Sequence, residues 1–213
     1  MNNKMKTIIL SAVLTMASIG AFANPVAIGY MEPSAVDPVA TGYNSVAIGA
    51  NTVVNGTNTI VLGRDNTVNG NENIILGGGN GTTSANQSSV IGYNNYIGNH
   101  QEQTVIGANN TVDNQGSIVI GTHSVVRGID AVVVGNNASA PVQNSVAIGT
   151  NSQTSDPVAF SQMDINGTTH VFAGDSPNSS VSFGATQSST YSAIHNYNRQ
   201  LQNVSAGRIT ADS

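Results

Sequence analysis

Short apolar runs closed by a glycine recur along the chain, from Ser45-Val46-Ala47-Ile48-Gly49 and Thr59-Ile60-Val61-Leu62-Gly63 through to Ser145-Val146-Ala147-Ile148-Gly149. The closing glycines, Gly49, Gly63, Gly77, Gly92, Gly107, Gly121, Gly135 and Gly149, are spaced by 14 or 15 residues. A fixed short period predicts a solenoid. The runs are too short for helices, rich in β-branched residues and bounded by Gly and Asn, so each predicts one strand. Five residues after each glycine lies a second, weaker column: Val54, Val68, Thr82, Ile97, Val112, Val126, Ala140 and Thr154. Asn51, Asn66, Asn80, Asn95, Asn110 and Asn137 fall between the two columns, where a turn or left-handed conformation costs Asn little. Each repeat therefore predicts strand, turn, strand, turn. Coils stacked in parallel about 4.8 Å apart give a rod on the order of 40 Å long.

Side chains alternate across a strand, so the residues one and three before each glycine share a face, and the residue two before it takes the other. The first set is mostly apolar, as in Ile48 with Val46, Leu62 with Ile60 and Ile120 with Ile118. The opposite set is Ala47, Val61, Ile75, Val90, Val105, Val119, Val133 and Ala147, with no polar member. Both faces call for burial, yet a two-strand coil has one interior. An apolar stripe along the whole rod exceeds what a soluble monomer usually exposes. Self-association is the economical solution, with those eight residues as candidates for the interface; packing against the tail or an inserted segment of the same chain is the alternative. The second strand has mixed neighbours, such as Thr67, Tyr96, Thr111 and Ser139, and predicts a solvated face.

The flanks divide the chain further. Residues 1–23 read as a secretory signal peptide, with Lys4 and Lys6, an apolar run from Ile8 to Ile19, and Ala21-Phe22-Ala23 as a small-residue cleavage site between Ala23 and Asn24. Residues 24–44 form an imperfect capping coil, in which Val26-Ala27-Ile28-Gly29 repeats the motif and Met31 to Thr41 is inserted. The regular β-roll repeats occupy 45–156. Residues 157–184 predict an irregular last coil around Val158-Ala159-Phe160, then a turn over Asp164 to Thr168 with strands at His170–Gly174 and Ser180–Gly184. Residues 185–213 form a polar connector, with Ile194, Tyr197, Leu201 and Val204 at helix-like intervals.

Removing the leader leaves four arginines against eleven acidic residues, a net charge of −7. That excludes a basic nucleic-acid footprint. The chain has no cysteine, so an exported protein must be held by repeat stacking or oligomer contacts rather than disulfides. After the leader no segment is apolar enough to span a membrane as a helix, and the ten-residue alternating strands of an outer-membrane barrel are missing. By itself the mature chain is expected to insert into no membrane.

The string Asn-Ser-Val-Ala-Ile-Gly occurs at 44–49 and again at 144–149, with variants at the repeat spacing between them. This pattern resembles the YadA-type head of trimeric autotransporter adhesins. Phe172-Ala173-Gly174, Val181-Ser182-Phe183-Gly184 and the run from Arg199 to Ile209 look like that family's head-to-stalk neck. The resemblance implies a left-handed parallel β-roll from each of three chains packed about a threefold axis. It also implies a surface adhesin of Gram-negative bacteria that binds collagen or other host matrix proteins, host cells or other bacteria. Export through the inner membrane follows from the leader, with display at the cell surface if the chain is joined to an anchor and a secreted or periplasmic location otherwise. The family's neck leads to a coiled-coil stalk and a membrane anchor, whereas this sequence stops at Ser213, within the neck motif.

An enzyme requires convergent groups, and the sequence offers none. Asp65, Glu72, Glu102, Asp113 and Asp130 take differing places in successive repeats and read as solvated turn residues. His170 with Asp164 and Asp175 is the one mixed cluster, and it reads as a polar-edged hairpin. His100 and His123 lie in different coil positions without metal-ligand spacing. Gly77-Gly78-Gly79-Asn80-Gly81 lacks both the aspartate of a calcium-binding repeat and the Lys and Ser/Thr of a phosphate loop, and reads as a loose turn. No catalytic, cofactor or metal site is expected. Tyr30, Tyr43, Tyr93 and Tyr96 are the exposed-aromatic candidates for ligand contact. The rival readings are an ice- or surface-binding solenoid, which needs a Thr-dominated column, a solenoid glycan lyase or hydrolase, and a purely structural spacer.

Overall fold

The computed structural model describes residues 25–29, 35–82, 84–172, 174–185 and 197–203. It is a β-solenoid, with no helix among these residues. The apolar runs build one ten-stranded parallel sheet, in which Val26–Ile28, Val46–Ile48, Ile60–Leu62, Ile74–Gly78, Ser89–Tyr93, Thr104–Ala108, Ile118–Thr122, Val132–Val134, Val146–Ile148 and Val181–Ser182 follow one another in order. The weaker column builds an eight-stranded parallel sheet of two-residue strands, from Val39–Ala40 to Ser139–Ala140. Equivalent residues of successive coils pair in register, as Val105 does with Val90 and Val119.

Four side-chain columns point into each coil. Two are apolar and face each other between the sheets. Ala47, Val61, Ile75, Val90, Val105, Val119, Val133 and Ala147 come from the first sheet, and Val54, Val68, Ile97, Val112, Val126 and Ala140 from the second. The other two are polar and sit at the corners: Ser45, Thr59, Asn73, Ser88, Gln103, Ser117 and Ser145 at one, Thr52, Asn66, Asn80, Asn95, Asn110, Ser124 and Ser152 at the other. Polar groups belong there because the chain turns, and a turning backbone leaves carbonyls that the sheet ladder does not use. Asn95 shows the solution. Its Nδ2 donates to Asn80 Oδ1 at 3.0 Å and to the Gly107 carbonyl at 2.9 Å, and its Oδ1 accepts from Asn110 Nδ2 at 2.9 Å.

This geometry corrects the phase of the asparagines. Asn51 and Asn137 do take positive φ at the corner, at 56° and 51°. Asn66, Asn80, Asn95 and Asn110 lie one position later and form the buried ladder instead. The left-handed residues before them are Asp65, Gly79, Asn94 and Asn109.

It also corrects the interface assignment. Ala47, Val61, Ile75, Val90, Val105, Val119, Val133 and Ala147 are all 0% exposed within a single chain, so no second chain can reach them. Counting apolar residues favours the Ile- and Leu-rich face as the interior, because the opposite face also carries the polar residue four before the glycine. Those polar residues are buried nonetheless, since the next coil's carbonyls satisfy them: Ser117 Oγ donates to Gly128 O at 3.1 Å and Asn73 Nδ2 to Ala85 O at 2.8 Å.

The ends depart from the repeat. Val26–Ile28 pairs with Val46–Ile48, and Val39–Ala40 with Val53–Val54, so the extra residues of the first coil fall between Gly29 and Val39. Residues 157–160 form no strand. The hairpin strands are Gln162–Ile165 and Thr168–Val171, not His170–Gly174 and Ser180–Gly184. Asn166 and Gly167, both at positive φ, make the two-residue turn that favours such a hairpin. Val181–Ser182 instead joins the first sheet beside Val146 and Ala147. Tyr197 and Leu201 lie outside any helix, while Ile194 and Val204 fall outside the described residues, as do the leader, the Ala23–Asn24 cleavage site and Tyr30.

Candidate functional site

The outer face of the ten-stranded sheet is the largest feature that the coil leaves unsatisfied. One column on it is Leu62, Leu76, Ile91, Ile106, Ile120, Val134 and Ile148; the neighbouring one holds Ile60, Ile74 and Ile118, broken by Ser89 and Thr104. Ile74, Ile91 and Ile120 are 48%, 47% and 43% exposed. Aliphatic side chains standing side by side on a flat parallel sheet form a continuous apolar strip along the rod, of the kind that marks an interface. The sheet is stiff because each of its interior strands is paired on both sides, so the strip is preformed.

The corners are polar and repetitive. Along one, Asn51 Nδ2 donates to Asp65 Oδ1 at 2.8 Å, Asn94 Nδ2 to Asn109 Oδ1 at 2.7 Å, and Asn137 Nδ2 to Asn151 Oδ1 at 2.7 Å. Asp65 also accepts from Arg64 Nε at 2.8 Å. The Asn51 amide, and next the Arg64 guanidinium, hold its carboxyl below the usual aspartate range.

With this geometry in hand, the chain can be set beside known proteins. The YadA head domain repeat family matches it in two copies, at residues 40–66 and 127–152. The chain carries two YadA head repeats. The collagen-binding domain of the Yersinia adhesin YadA has the same fold, with a TM-score of 0.52 at 22% identity over 89% of this chain and 91% of that one. The C-terminal YadA-like domain of a Burkholderia pseudomallei protein is 33% identical over 46% of this chain and 44% of that chain, at a TM-score of 0.36. This chain thus spans less than half of the Burkholderia domain. No curated protein matches the sequence.

Both Asn-Ser-Val-Ala-Ile-Gly strings of the YadA-like head lie inside the matched stretches. In each, the asparagine takes the left-handed corner, φ 55° at Asn44 and at Asn144, and the serine is buried behind it. The string is therefore a rule for building a coil corner and strand, with its Asn exposed at the corner and its Val and Ile side chains facing outward from the strand.

The remaining candidates fall into place on this frame. Tyr93 and Tyr96 flank one corner, 62% and 47% exposed, while Tyr43 lies at the opposite corner. Tyr93 pairs in register with Gly78, and its ring lies 3.6 Å from where a Gly79 Cβ would stand. Gly77 to Gly81 is a regular corner between strands Ile74–Gly78 and Gly81–Thr82, which corrects its reading as a loose turn. Glu72, Glu102 and Asp130 share one left-handed corner position two coils apart, with Gln87 and Gly116 between them. This corrects the expectation that the acids occupy differing places; they are nonetheless exposed turn residues.

His170 and Asp164 stand on opposite faces of the hairpin, because Asp164 pairs with Thr169 and His170 with Met163. The described residues hold no group of three or more His, Cys, Asp and Glu arranged to bind a metal, and no helix long and apolar enough to cross a membrane. The column four before each glycine is interior, and no outward column is dominated by Thr. Sequence reasoning passed over Arg199 as a structural residue. Its side chain reaches back across the end of the roll to Thr150, Ser152 and Phe183.

Proposed function

We propose that this YadA-like head is a non-enzymatic, exported adhesin that works as a homotrimer. Three rolls pack the outer faces of their ten-stranded sheets, with Leu62, Leu76, Ile91, Ile106 and Ile120 toward the shared axis, and leave the short-stranded sheets and polar corners outward. The observation that carries this reading is the continuous aliphatic strip on a closed, fully packed coil. Nothing within the described chain covers that strip, and a threefold axis buries it on every protomer at once.

The ligands in this reading are host matrix proteins, collagen-like ones first, host cells or other bacteria. A repetitive rigid surface presented three times over suits long, repetitive partners, because weak contacts multiply by avidity. The collagen-binding fold of the Yersinia domain supports that choice. Surface display, or secretion, follows from the same reading and from the leader.

The test is solid-phase binding of the purified protein, with its mass verified by light scattering, to collagens, fibronectin, laminin and bacterial cells. Saturable binding by a trimer to one of these is expected. A verified trimer with no saturable binding to any of them contradicts adhesion, and a folded monomer contradicts the assembly.

A further inference from the structure

A β-roll cannot end without leaving an edge. Each regular coil closes the one before it in three ways. The carbonyl one residue after each glycine accepts from the left-handed corner N–H of the next coil, as Ala50 O does from Asp65, Ala108 O from His123 and Asn136 O from Asn151. The polar corner side chain donates to the next glycine's carbonyl, as Asn66 does to Gly77 at 2.8 Å, Asn110 to Gly121 at 2.9 Å and Ser124 to Gly135 at 2.8 Å. The third closure is packing: the space beside each glycine's Cα is filled by the carbonyl of the next glycine.

At the last coil one side chain, that of Arg199, meets all three positions, filling the first and third and donating to the side chain of the second. Thr150 O, next in the carbonyl series, accepts from Arg199 Nη2. Ser152, next in the corner series, turns its Oγ to Ile148 O at 2.6 Å and accepts from Arg199 Nη1 at 3.0 Å. The space beside Gly149 is filled by the Arg199 guanidinium, whose Cζ stands 2.9 Å from where a Cβ would be. The same Nη1 also donates to Phe183 O. A planar fork with several fixed donors suits this task, whereas a lysine offers one point charge.

We propose that Arg199 is the end stop of the roll: beside Val181–Ser182, which continues only the first sheet, its guanidinium occupies the corner that a further coil would fill and keeps a second copy of this chain from adding there. The opposite end makes such addition a real hazard. Val26–Ile28 is an exposed edge strand with the same register and sequence type as the strands inside the sheet. The other edge of that sheet is Val181–Ser182, and with the corner beside it open a second copy's Val26–Ile28 can stack there in a head-to-tail contact, which does not close and grows into filaments. The inference is independent of adhesion, since it concerns the edge and not the outer face.

The experiment compares the wild-type protein with Arg199→Ala and Arg199→Lys by sedimentation velocity over a range of concentrations, negative-stain imaging and amide hydrogen exchange. For Arg199→Ala the proposal expects end-to-end multiples and rods longer than wild type. It also expects exchange about tenfold faster or more at the Gln153 and Ala185 amides, with Asn94 and Asn109 unchanged. Arg199→Lys shows the same shift to a smaller extent. Unchanged exchange at Gln153 and Ala185 overturns the proposal, and so does faster exchange with no added multiples. Loss of structure throughout the roll overturns it too, because an end stop acts on the last coil alone.

Discussion

Neighbouring residues Asn94 and Asn95 give the most demanding test of the interior. Asn95 is buried in the corner ladder, whereas Asn94 is exposed in the left-handed turn with φ 53°. Replacing Asn95 with Ala removes its donation to the Gly107 carbonyl and its acceptance from the Asn110 backbone N–H at 3.1 Å. The Asn110 N–H is then buried, and the Gly107 carbonyl half-buried, without those partners. At about 1–3 kcal/mol for each unsatisfied buried group, the variant is expected to lose about 4 kcal/mol. That is a large part of a typical domain's stability of roughly 5–15 kcal/mol. Asn94→Ala loses the ease of the left-handed conformation, about 1 kcal/mol, together with one solvent-exposed hydrogen bond to Asn109 Oδ1, and Asn94→Gly loses only that exposed bond. The assay is urea unfolding followed by far-ultraviolet circular dichroism at one fixed protein concentration, because assembly couples to stability. If Asn95→Ala lies within about 1 kcal/mol of wild type, or costs less than Asn94→Ala, the ladder does not hold the coils as described.

Other expectations follow from the same frame. Val105→Asp places a charge in the closed interior and should prevent folding, whereas Ile106→Asp, one residue on, should leave the circular dichroism intact and dissociate the oligomer; equal behaviour of the two in circular dichroism and light scattering refutes the inward and outward assignment. Gly92 has φ +143° and faces Gly107 O at 1.7 Å from an added Cβ, so Gly92→Ala should cost about 3 kcal/mol or more in urea unfolding. A loss of less than about 1 kcal/mol means the coils can part there. The lowered carboxyl of Asp65 stabilises the fold above the ordinary aspartate range, and that contribution is lost as pH falls through the lower folded value. Asp65→Asn should therefore unfold more readily than wild type at neutral pH and match it in acid, and a difference that does not change with pH excludes the Asn51 and Arg64 contacts as its source.

The repeat was legible because a solenoid reuses one local solution, so glycine, strand and corner recur at a period visible without any tertiary knowledge. The second inward column was legible for the same reason, from Val54 to Thr154. The direction of the first strand was not. Strand parity separates Val105 from Ile106 but does not name the inner one, and the deciding residues were polar. Gln103 and Ser117 read as solvent-facing by composition, yet they are buried because neighbouring turns offer them carbonyls. The corner asparagines were placed one residue out for a related reason, since Asn serves both the left-handed turn and the ladder beside it. The hairpin was anticipated as a turn near Asn166-Gly167, but its strands were misassigned. The Gly-closed segments on its far side match the repeat, and Val181–Ser182 does serve the roll. Arg199 could not be found locally. Its contacts lie 47 residues away at Ser152 and 49 at Thr150, and only the end of the stack gives them meaning.

The central claim is that the aliphatic face of the ten-stranded sheet is where three chains meet. Absolute mass by light scattering behind a sizing column tests it most directly, on the wild-type protein and on an Ile106→Asp, Ile120→Asp double variant. Three chain masses are expected for the wild type and a single folded chain for the variant. A folded wild-type monomer, or a variant that stays trimeric, contradicts it.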